Sequence, residues 1–373
     1  MKLCNYLYSF ALAAATMTVV SCSPDPDPEI GPFDELPSSK MYILNQGLWN
    51  QNNATVSLYS PADVNEPVVS EFFKRQNGRE VGELAQDLIR HGDLMYMAVT
   101  GSNYVACLNS ECVNLRTVSF AGESSLQGGV RCLAAYGNDL FATCYGGYLV
   151  KIDASYMTLN NIHSVGHNLE GIAAYDGKLY IADAYEIRPN DKGGNDYVYL
   201  DDLYVVDANT LQNIDVIKVA VNPNRVISTE EGKIFVISWG NYADKGYQCQ
   251  MIDAAHGNKV TDIAVASDMC VGNGKLYLLY STTDWATNVT TNNWMSYDIA
   301  SGTLSETSFL KDAPAALANS HIYMMTVEPV SGDIYIGTTD YTTEGDIYRF
   351  DKNGNLIKKF ACGGLNPWRA VFF

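Results

Sequence analysis

The chain has 373 residues and a formal net charge of −18 at pH 7, with 24 Lys and Arg against 42 Asp and Glu. So acidic a protein does not hold nucleic acid by neutralising phosphates. Only 18% of its residues are charged, while 25 are Tyr, which is typical of a β-rich extracytoplasmic protein and unlike a helical cytosolic enzyme.

Residues 1–21 have the pattern of a bacterial lipoprotein signal peptide. Lys2 precedes an apolar stretch from Leu7 to Val20, which is too short for a comfortable membrane span. The next residues, Ser21 and Cys22, resemble the end of a lipoprotein box, where the Cys is lipidated after cleavage. We therefore expect Cys22 to be the lipidated first residue of the mature protein; the alternative is a secreted protein with a chance Cys.

Residues 22–37 are predicted to be a tether between the lipid and a folded domain at 38–373. Five of the chain's 12 Pro lie between residues 24 and 37, which favours extended polyproline conformation. The acidity directly after Cys22 resembles the export signal that sends Bacteroidetes lipoproteins to the outer leaflet. We expect an outer-membrane protein exposed on the cell surface, held by lipid alone; periplasmic tethering is the alternative.

Within residues 38–373, a Gly-x-apolar-aromatic strand recurs every 39 to 58 residues. Each copy is followed by a loop and a second strand that ends near Asp or Asn, a spacing typical of four-stranded propeller blades. The copies begin at Lys40, Gly92, Asn138, Gly177, Gly232, Gly274 and Gly332.

The C-terminal segment from Asn366 to Phe373 resembles the segment from Asn222 to Ile227, although no further copy follows it. It therefore has the sequence of an innermost strand without a blade of its own, and we expect it to pair with the strand at Met41. The pattern predicts an all-β protein: a seven-bladed β-propeller of the YncE or WD40 type, with four-stranded blades closed by the C-terminal strand. A pair of β-sandwiches explains neither the period nor the last strand.

In a propeller, the starts of the innermost strands and the loops between second and third strands emerge on one face. We expect the repeat-equivalent positions at those starts to form a ring around the mouth of the central channel. They are Gln86, Arg131, Glu170, Arg225, Ser267, Tyr323 and the pair Trp368 and Arg369.

The loops on that face are rich in aromatic residues and amides, and four of the five Trp lie in them. Such a surface suits a large, neutral, polar ligand with apolar faces; the alternative is that the rings pack between blades as core. The predicted contacts from these loops are Trp49, Tyr145, Tyr185, Trp239, Tyr242, Trp285, Trp294 and Tyr341.

Catalytic and metal-binding patterns are missing from the sequence. It has no Gly-rich phosphate loop between strand and helix, no nucleophile elbow and no CxxC or Cys/His ligand spacing. The sequence therefore predicts a binding protein without enzymatic activity, resident metal or cofactor. Seven Cys remain beyond Cys4 and Cys22, an odd number that cannot form a complete disulfide framework, and we expect mostly buried free thiols.

The start of the folded region resembles the YncE-like propeller lipoproteins of the Bacteroidetes, with a DUF5074-type domain. The resemblance covers essentially all of residues 38–373. It is carried by Leu44-Asn-Gln-Gly, by Asn52-Asn-Ala-Thr-Val-Ser-Leu-Tyr, by Phe73-Lys-Arg-Gln-Asn-Gly-Arg and by Gly82-Glu-Leu-Ala-Gln.

The BtuG branch of that family implies a function. Its members capture cobalamin (vitamin B12) at the cell surface and dock over a TonB-dependent outer-membrane transporter of the BtuB type. The resemblance thus implies a corrinoid as transported ligand, with a phosphate that Arg131, Arg225 or Arg369 meets. The alternative is a glycan-binding surface lipoprotein of a polysaccharide-uptake system, which would use the same aromatic residues for stacking on sugars.

Overall fold

The computed structural model describes residues 39–373 except 64, 285 and 288. The predicted signal peptide (1–21), the lipidated Cys22, the tether (22–37) and Trp285 therefore lie outside the described residues. The described strands form seven antiparallel sheets, and the innermost strands of neighbouring sheets contact one another around a central channel. The predicted all-β, seven-bladed propeller is confirmed.

Helical structure is scarce in this part of the chain: α1 (Phe72–Asn77) and three 3-10 turns at Ser124–Leu126, Ala254–His256 and Ala315–Asn319. Within the described residues, no helix has the length and apolar character needed to cross a bilayer. The strands are β1 (Met41–Asn45), β2 (Thr55–Tyr59), β3 (Ala85–His91), β4 (Leu94–Val99), β5 (Tyr104–Leu108), β6 (Asn114–Ser119), β7 (Val130–Tyr136), β8 (Asp139–Cys144), β9 (Tyr148–Asp153), β10 (Thr158–Ser164), β11 (Leu169–Tyr175), β12 (Lys178–Pro189), β13 (Asn195–Asp207), β14 (Asn213–Lys218), β15 (Pro223–Ser228), β16 (Lys233–Ser238), β17 (Gln248–Asp253), β18 (Lys259–Ala264), β19 (Asp268–Gly272), β20 (Lys275–Asp284), β21 (Val289–Asp298), β22 (Thr303–Ser305), β23 (His321–Val327), β24 (Ile334–Thr339), β25 (Asp346–Phe350), β26 (Leu356–Ala361) and β27 (Pro367–Phe372).

Blades 2 to 7 each contain four consecutive strands, running from the channel outward: β3–β6, β7–β10, β11–β14, β15–β18, β19–β22 and β23–β26. Their second strands, such as β4 and β16, are almost entirely buried because both faces contact neighbouring blades. This burial explains their continuous apolar sequences. The outermost strands, such as β6 and β14, are mostly exposed and mix polar with apolar residues.

Blade 1 combines the two ends of the folded chain in the order β27, β1, β2. Met41 pairs with Phe372 in antiparallel register, and Lys40 and Phe373 exchange backbone hydrogen bonds of 2.8 and 2.9 Å. The expected closure by the C-terminal strand is thus present. Both edges that an open ring would expose are satisfied by this pairing.

Blade 1 has three strands instead of the predicted four. The fourth position holds an isolated bridge between Leu58 and Val69, after which the chain enters α1. Phe72 and Phe73 of α1 are completely buried, and the Phe72 ring lies 5.9 Å from that of Tyr42. The apolar face of this short helix covers the blade in place of a regular strand.

The seven described Cys are free, and all but the half-buried Cys132 are buried. Burial raises the pKa of Cys132, Cys144 and Cys362 to about 12. The expectation of mostly buried free thiols is therefore confirmed for these residues.

These thiols should react slowly in the native protein. With pKa values near 12, only about one such thiol in 10,000 is ionised at pH 8, and the thiolate is the reactive form. A thiol-reactive disulfide reagent at pH 8 should label residues 38–373 slowly, starting with Cys132, and should label all seven Cys rapidly in guanidinium. Fast native labelling of several Cys would contradict this packing.

We expect the pairing of β27 with β1, which closes the ring, to contribute strongly to the free energy of unfolding. Phe372 is 8% exposed and its ring lies 5.5 Å from that of Tyr335. Phe372→Ala should lower the free energy of unfolding by about 3 kcal/mol, because it leaves a cavity. Deletion of residues 367–373 should abolish the cooperative urea transition of the 38–373 protein. The exposed Tyr156→Ala is the control, and a deletion variant as stable as the parent would refute the role of β27.

Candidate ligand-binding face

A β-bulge recurs where the innermost strands begin. In β3, Gln86 falls between Ala85 and Asp87, which pair with adjacent residues of β4. A bulge of this kind turns a side chain out of the regular ladder. The residues at the equivalent register shifts are Arg131 and Cys132, Glu170 and Gly171, Asn224, Tyr323, and Trp368.

Blade 6 has no such bulge, because β19 and β20 keep a continuous register from Asp268 to Gly272. Ser267 precedes this ladder, and its hydroxyl donates to the Leu279 carbonyl at 3.1 Å. The side chains at these strand starts surround one end of the channel. We call Gln86, Asp87, Arg131, Glu170, Arg225, Asp268, Tyr323, Trp368 and Arg369 the channel mouth.

Three ion pairs join neighbouring blades at the channel mouth. Arg225 Nη1 lies 2.8 Å from Asp268 Oδ1, which connects blades 5 and 6. Arg369 Nε lies 3.1 Å from Asp87 Oδ1, which connects blades 1 and 2.

The third pair connects blade 3 to blade 4, where Arg131 contacts Glu170. The Arg131 guanidinium also donates to Gln86 Oε1 at 2.9 Å and to the Tyr145 hydroxyl. Burial raises the pKa of Glu170, and Arg131 opposes that rise. Burial also lowers the pKa of Arg225, against the attraction of Asp268. Each of the three arginines is thus compensated by a carboxylate, and the charges of the pairs sum to zero.

Trp368 lies at the channel mouth and is held from several sides. Its indole Nε1 donates to the Gln86 carbonyl at 2.6 Å. The guanidinium carbons of Arg225 and Arg369 lie 4.7 and 4.5 Å from its ring centroid, and the Tyr323 ring lies 5.0 Å away. Cation–π and aromatic contacts therefore fix the indole in one position.

Trp368 and Arg225 line two cavities, one on each side of them. The inner cavity, of about 330 Å³, lies within the channel and includes Met269, Cys270 and Met325. The upper cavity, of about 450 Å³, opens on the face of the propeller. It is lined by Trp239, Tyr247, Tyr323, Tyr341 and His321, among others.

Further aromatic rings continue from the upper cavity over blades 4 to 6. Tyr185 lies 5.4 Å from Tyr197 and 6.3 Å from Tyr199, and Tyr199 lies 5.5 Å from Tyr242. A second pair, Tyr247 and Tyr280, has centroids 6.4 Å apart. These six Tyr form what we call the aromatic arc, and most of them belong to the long hairpins β12–β13 and β20–β21 or to the blade 5 loop between them.

The structure brings most of the predicted contact residues to this one face. Gln86, Arg131, Glu170, Arg225, Tyr323, Trp368 and Arg369 form the channel mouth together with Asp87 and Asp268, and Ser267, Trp239 and Tyr341 line the upper cavity. Tyr145 contacts Arg131, whereas Tyr185 and Tyr242 lie in the aromatic arc. Trp49 is 62% exposed in the β1–β2 connection, away from both cavities.

The expectation for Trp294 is wrong. Its side chain is only 7% exposed and packs in the core between blades 6 and 7, with its ring 5.8 Å from that of Phe309. The cause is strand alternation in β21, where Thr290, Asn292 and Trp294 point inward. For Trp294 the alternative prediction holds, in which the ring packs between blades as part of the core.

Two carboxylates of the channel mouth were missed in the sequence. Asp87 and Asp268 directly follow the repeat positions Gln86 and Ser267, and each neutralises an arginine from the preceding blade. A comparison of the residues that directly follow these repeat positions would have identified both carboxylates. Tyr197, Tyr199, Tyr247 and Tyr280 of the aromatic arc were also missed as contacts, because their positions depend on the extent of the long hairpins and of the blade 5 loop.

Comparisons with known proteins identify the fold alone. No family model and no curated protein matches the chain. Kuenenia stuttgartiensis hydrazine synthase is similar in structure, with 15% identity, 70% of this chain and 74% of that one covered, and a TM-score of 0.55. Apo AztD from Citrobacter koseri is similar at 11% identity, with coverage of 90% and 98% and a TM-score of 0.51. The RRP9 WD40 repeats are similar at 8% identity, with coverage of 74% and 83% and a TM-score of 0.51.

We expect the two partners of the Arg225–Asp268 ion pair to be coupled energetically. The Arg225 and Asp268 side chains are 12% and 11% exposed, so Arg225→Met leaves a buried, unpaired carboxylate and should lower the free energy of unfolding by about 3 kcal/mol. The double variant Arg225→Met, Asp268→Asn should regain most of that loss. A urea-denaturation double-mutant cycle measures the coupling, and strictly additive losses would show that the pair is energetically unimportant.

Proposed function

We propose that this protein is a cell-surface lipoprotein that captures cobalamin or a related corrinoid without chemical turnover. It then passes the ligand to a TonB-dependent outer-membrane transporter. The lipid on Cys22 holds it at the outer membrane, and the propeller face described above receives the ligand.

The observation that carries this proposal is the aromatic arc beside a charge-compensated channel mouth. A corrin has broad apolar faces rimmed by amides, and aromatic side chains supply large contact areas at little cost in conformational entropy. A mouth whose arginines are paired with carboxylates attracts no strongly charged ligand, so it favours a large and nearly neutral one.

Two further observations support the proposal. The acidic segment after the predicted lipidation site is typical of surface export, and the sequence resembles the YncE-like lipoproteins that include the BtuG branch. The propeller fold itself does not identify a ligand, since the same fold hosts many functions. The proposal therefore depends on the chemistry of the face and on the resemblance together.

A glycan is the second candidate ligand, favoured by the neighbouring Tyr rings of blade 4. Tyr185, Tyr197 and Tyr199 lie next to one another on a hairpin that also carries Asp and Asn side chains. Neighbouring aromatic rings beside carboxylate and amide acceptors also suit sugar rings. Affinity gels loaded with polysaccharides test this candidate, and uniformly unretarded migration would count against it.

Calorimetric titration of residues 38–373 with cyanocobalamin tests the corrinoid proposal. We expect one-to-one binding with submicromolar affinity. Trp239→Ala should weaken binding about tenfold or more, because this half-buried ring lines the upper cavity and large aromatic contacts dominate such sites.

The matched control is Tyr156→Ala. Tyr156 is 71% exposed in the β9–β10 turn, on the opposite face, and its loss should leave affinity unchanged. Failure of the parent protein to bind cyanocobalamin or cobinamide below micromolar concentration would refute corrinoid capture.

A further inference from the structure

A groove over blade 5 extends the upper cavity away from the channel axis. It has a volume of about 740 Å³ and is lined by Trp239, Tyr242, Lys245, Tyr247, Asp262 and Tyr280, among others. We call it the outer groove. Trp239 and Tyr247 line both the outer groove and the upper cavity. A ligand with two parts can therefore occupy both spaces at once.

The outer groove is lined mainly by blade 5, together with the β14–β15 connection (219–221) and Tyr280 of blade 6. The β12–β13 hairpin of blade 4 has strands of 12 and 13 residues, and the β20–β21 hairpin of blade 6 has strands of 10 residues each. Between them, β16 and β17 of blade 5 have only six residues each. The two long hairpins thus stand on either side of a shorter blade.

The blade 5 loop that forms one wall is fixed by its own hydrogen bonds. Asn241 Oδ1 accepts from the backbone N–H of Ala243 and Lys245 at 3.0 and 2.9 Å. The N–H of Trp239 donates to the Asn222 carbonyl at 2.9 Å. Gly240 has φ of +72°, and a Cβ there would lie 2.1 Å from the Lys245 carbonyl oxygen. The wall is therefore formed before any ligand binds.

Three kinds of chemical group line the outer groove. Trp239, Tyr242 and Tyr247 offer aromatic rings. Asp262 offers an exposed carboxylate, held through Oδ1 by Gln250 Nε2 at 2.7 Å. Lys245 offers an ammonium whose nearest carboxylate, on Asp244, lies 3.7 Å away in a well-exposed pair.

These groups match the parts of a nucleotide. A planar base stacks on aromatic rings, ribose hydroxyls donate to carboxylates, and a phosphate is attracted to an ammonium. The three arginines of the channel mouth are in largely buried pairs with carboxylates, whereas the Lys245–Asp244 pair is well exposed, so the Lys245 ammonium is the more accessible cation.

We propose that the outer groove binds the nucleotide-bearing part of a corrinoid, namely the base, ribose and phosphate, while the corrin ring lies over the upper cavity and Trp368. This inference rests on the proposed function and goes beyond it by assigning the two parts of the ligand to two sites. It moves the phosphate contact from the arginines of the mouth to Lys245. The protein then distinguishes corrinoids by their nucleotide.

The test compares cyanocobalamin with dicyanocobinamide, which has the corrin ring but no nucleotide. Tyr242 suits this test because it lines the outer groove and not the upper cavity. Its φ is +57°, a conformation that Asn tolerates better than Ala does, so the variant is Tyr242→Asn. The matched control is Tyr156→Asn on the opposite face.

We expect Tyr242→Asn to weaken cyanocobalamin binding about tenfold, the range of one lost base–aromatic stack, and to weaken cobinamide binding by a clearly smaller factor, because the corrin ring lies mainly over the upper cavity. Tyr156→Asn should change the affinity for neither ligand.

Lys245→Gln should weaken the binding of cyanocobalamin but not of cobinamide, and should reduce the salt dependence of cyanocobalamin binding. Lys352→Gln, on the opposite face, is the control for charge. Unfolding midpoints equal to that of the parent protein establish that the variants are folded.

Several results would overturn the inference. Equal weakening of both ligands by Tyr242→Asn would show that the groove does not read the nucleotide, and no weakening of either would show that the ligand does not occupy it. Absence of binding of both corrinoids to the parent protein would refute the proposed function, and the inference with it. Binding of both by the parent, with variants that do not separate them, refutes the inference alone.

Discussion

The antiparallel pairing of β27 with β1 is the interaction on which the rest of the structure depends. Each blade buries its second strand only because a neighbour lies on either side, so seven blades need a closed ring. The chain meets this requirement by pairing residues 41–45 with residues 367–372. The same pairing places Trp368 and Arg369 at the channel mouth, which links closure to the candidate site.

The channel mouth shows how one repeated backbone feature serves both packing and binding. Bulges at the starts of the innermost strands turn side chains towards the channel, and ion pairs then connect blades 1 and 2, 3 and 4, and 5 and 6. Blade 7 contributes Tyr323 instead, whose hydroxyl donates to Gln46 Oε1 at 2.5 Å. Buried charges are tolerated there because each has its partner. The polar groups left for a ligand are therefore those of the loops above the mouth.

The candidate site could be predicted only in part. Most of the ring from Gln86 to Arg369 follows from repeat phase, because equivalent positions in successive blades occupy equivalent places. In blade 5 the bulge falls on Asn224, so Arg225 lies one position beyond the place that repeat phase predicts. The pairing of Arg369 with Asp87 and of Arg225 with Asp268 does not follow from repeat phase, since each pair joins residues from different repeats. Trp294 shows the limit for aromatic residues: its position near a loop suggested exposure, whereas one residue of strand register decides burial.

The sequence by itself determined the all-β class, the seven repeats and the closing strand, because short-range alternation and turn residues encode them locally. It also determined which segments lie at the end of each blade that carries the channel mouth. Only the tertiary structure decided that blade 1 replaces its fourth strand with a bridge and α1. It also decided the separation of the inner and upper cavities by Trp368, and the outer groove beside the blade 5 loop. These features arise from contacts between distant residues, for which a local pattern carries no signal.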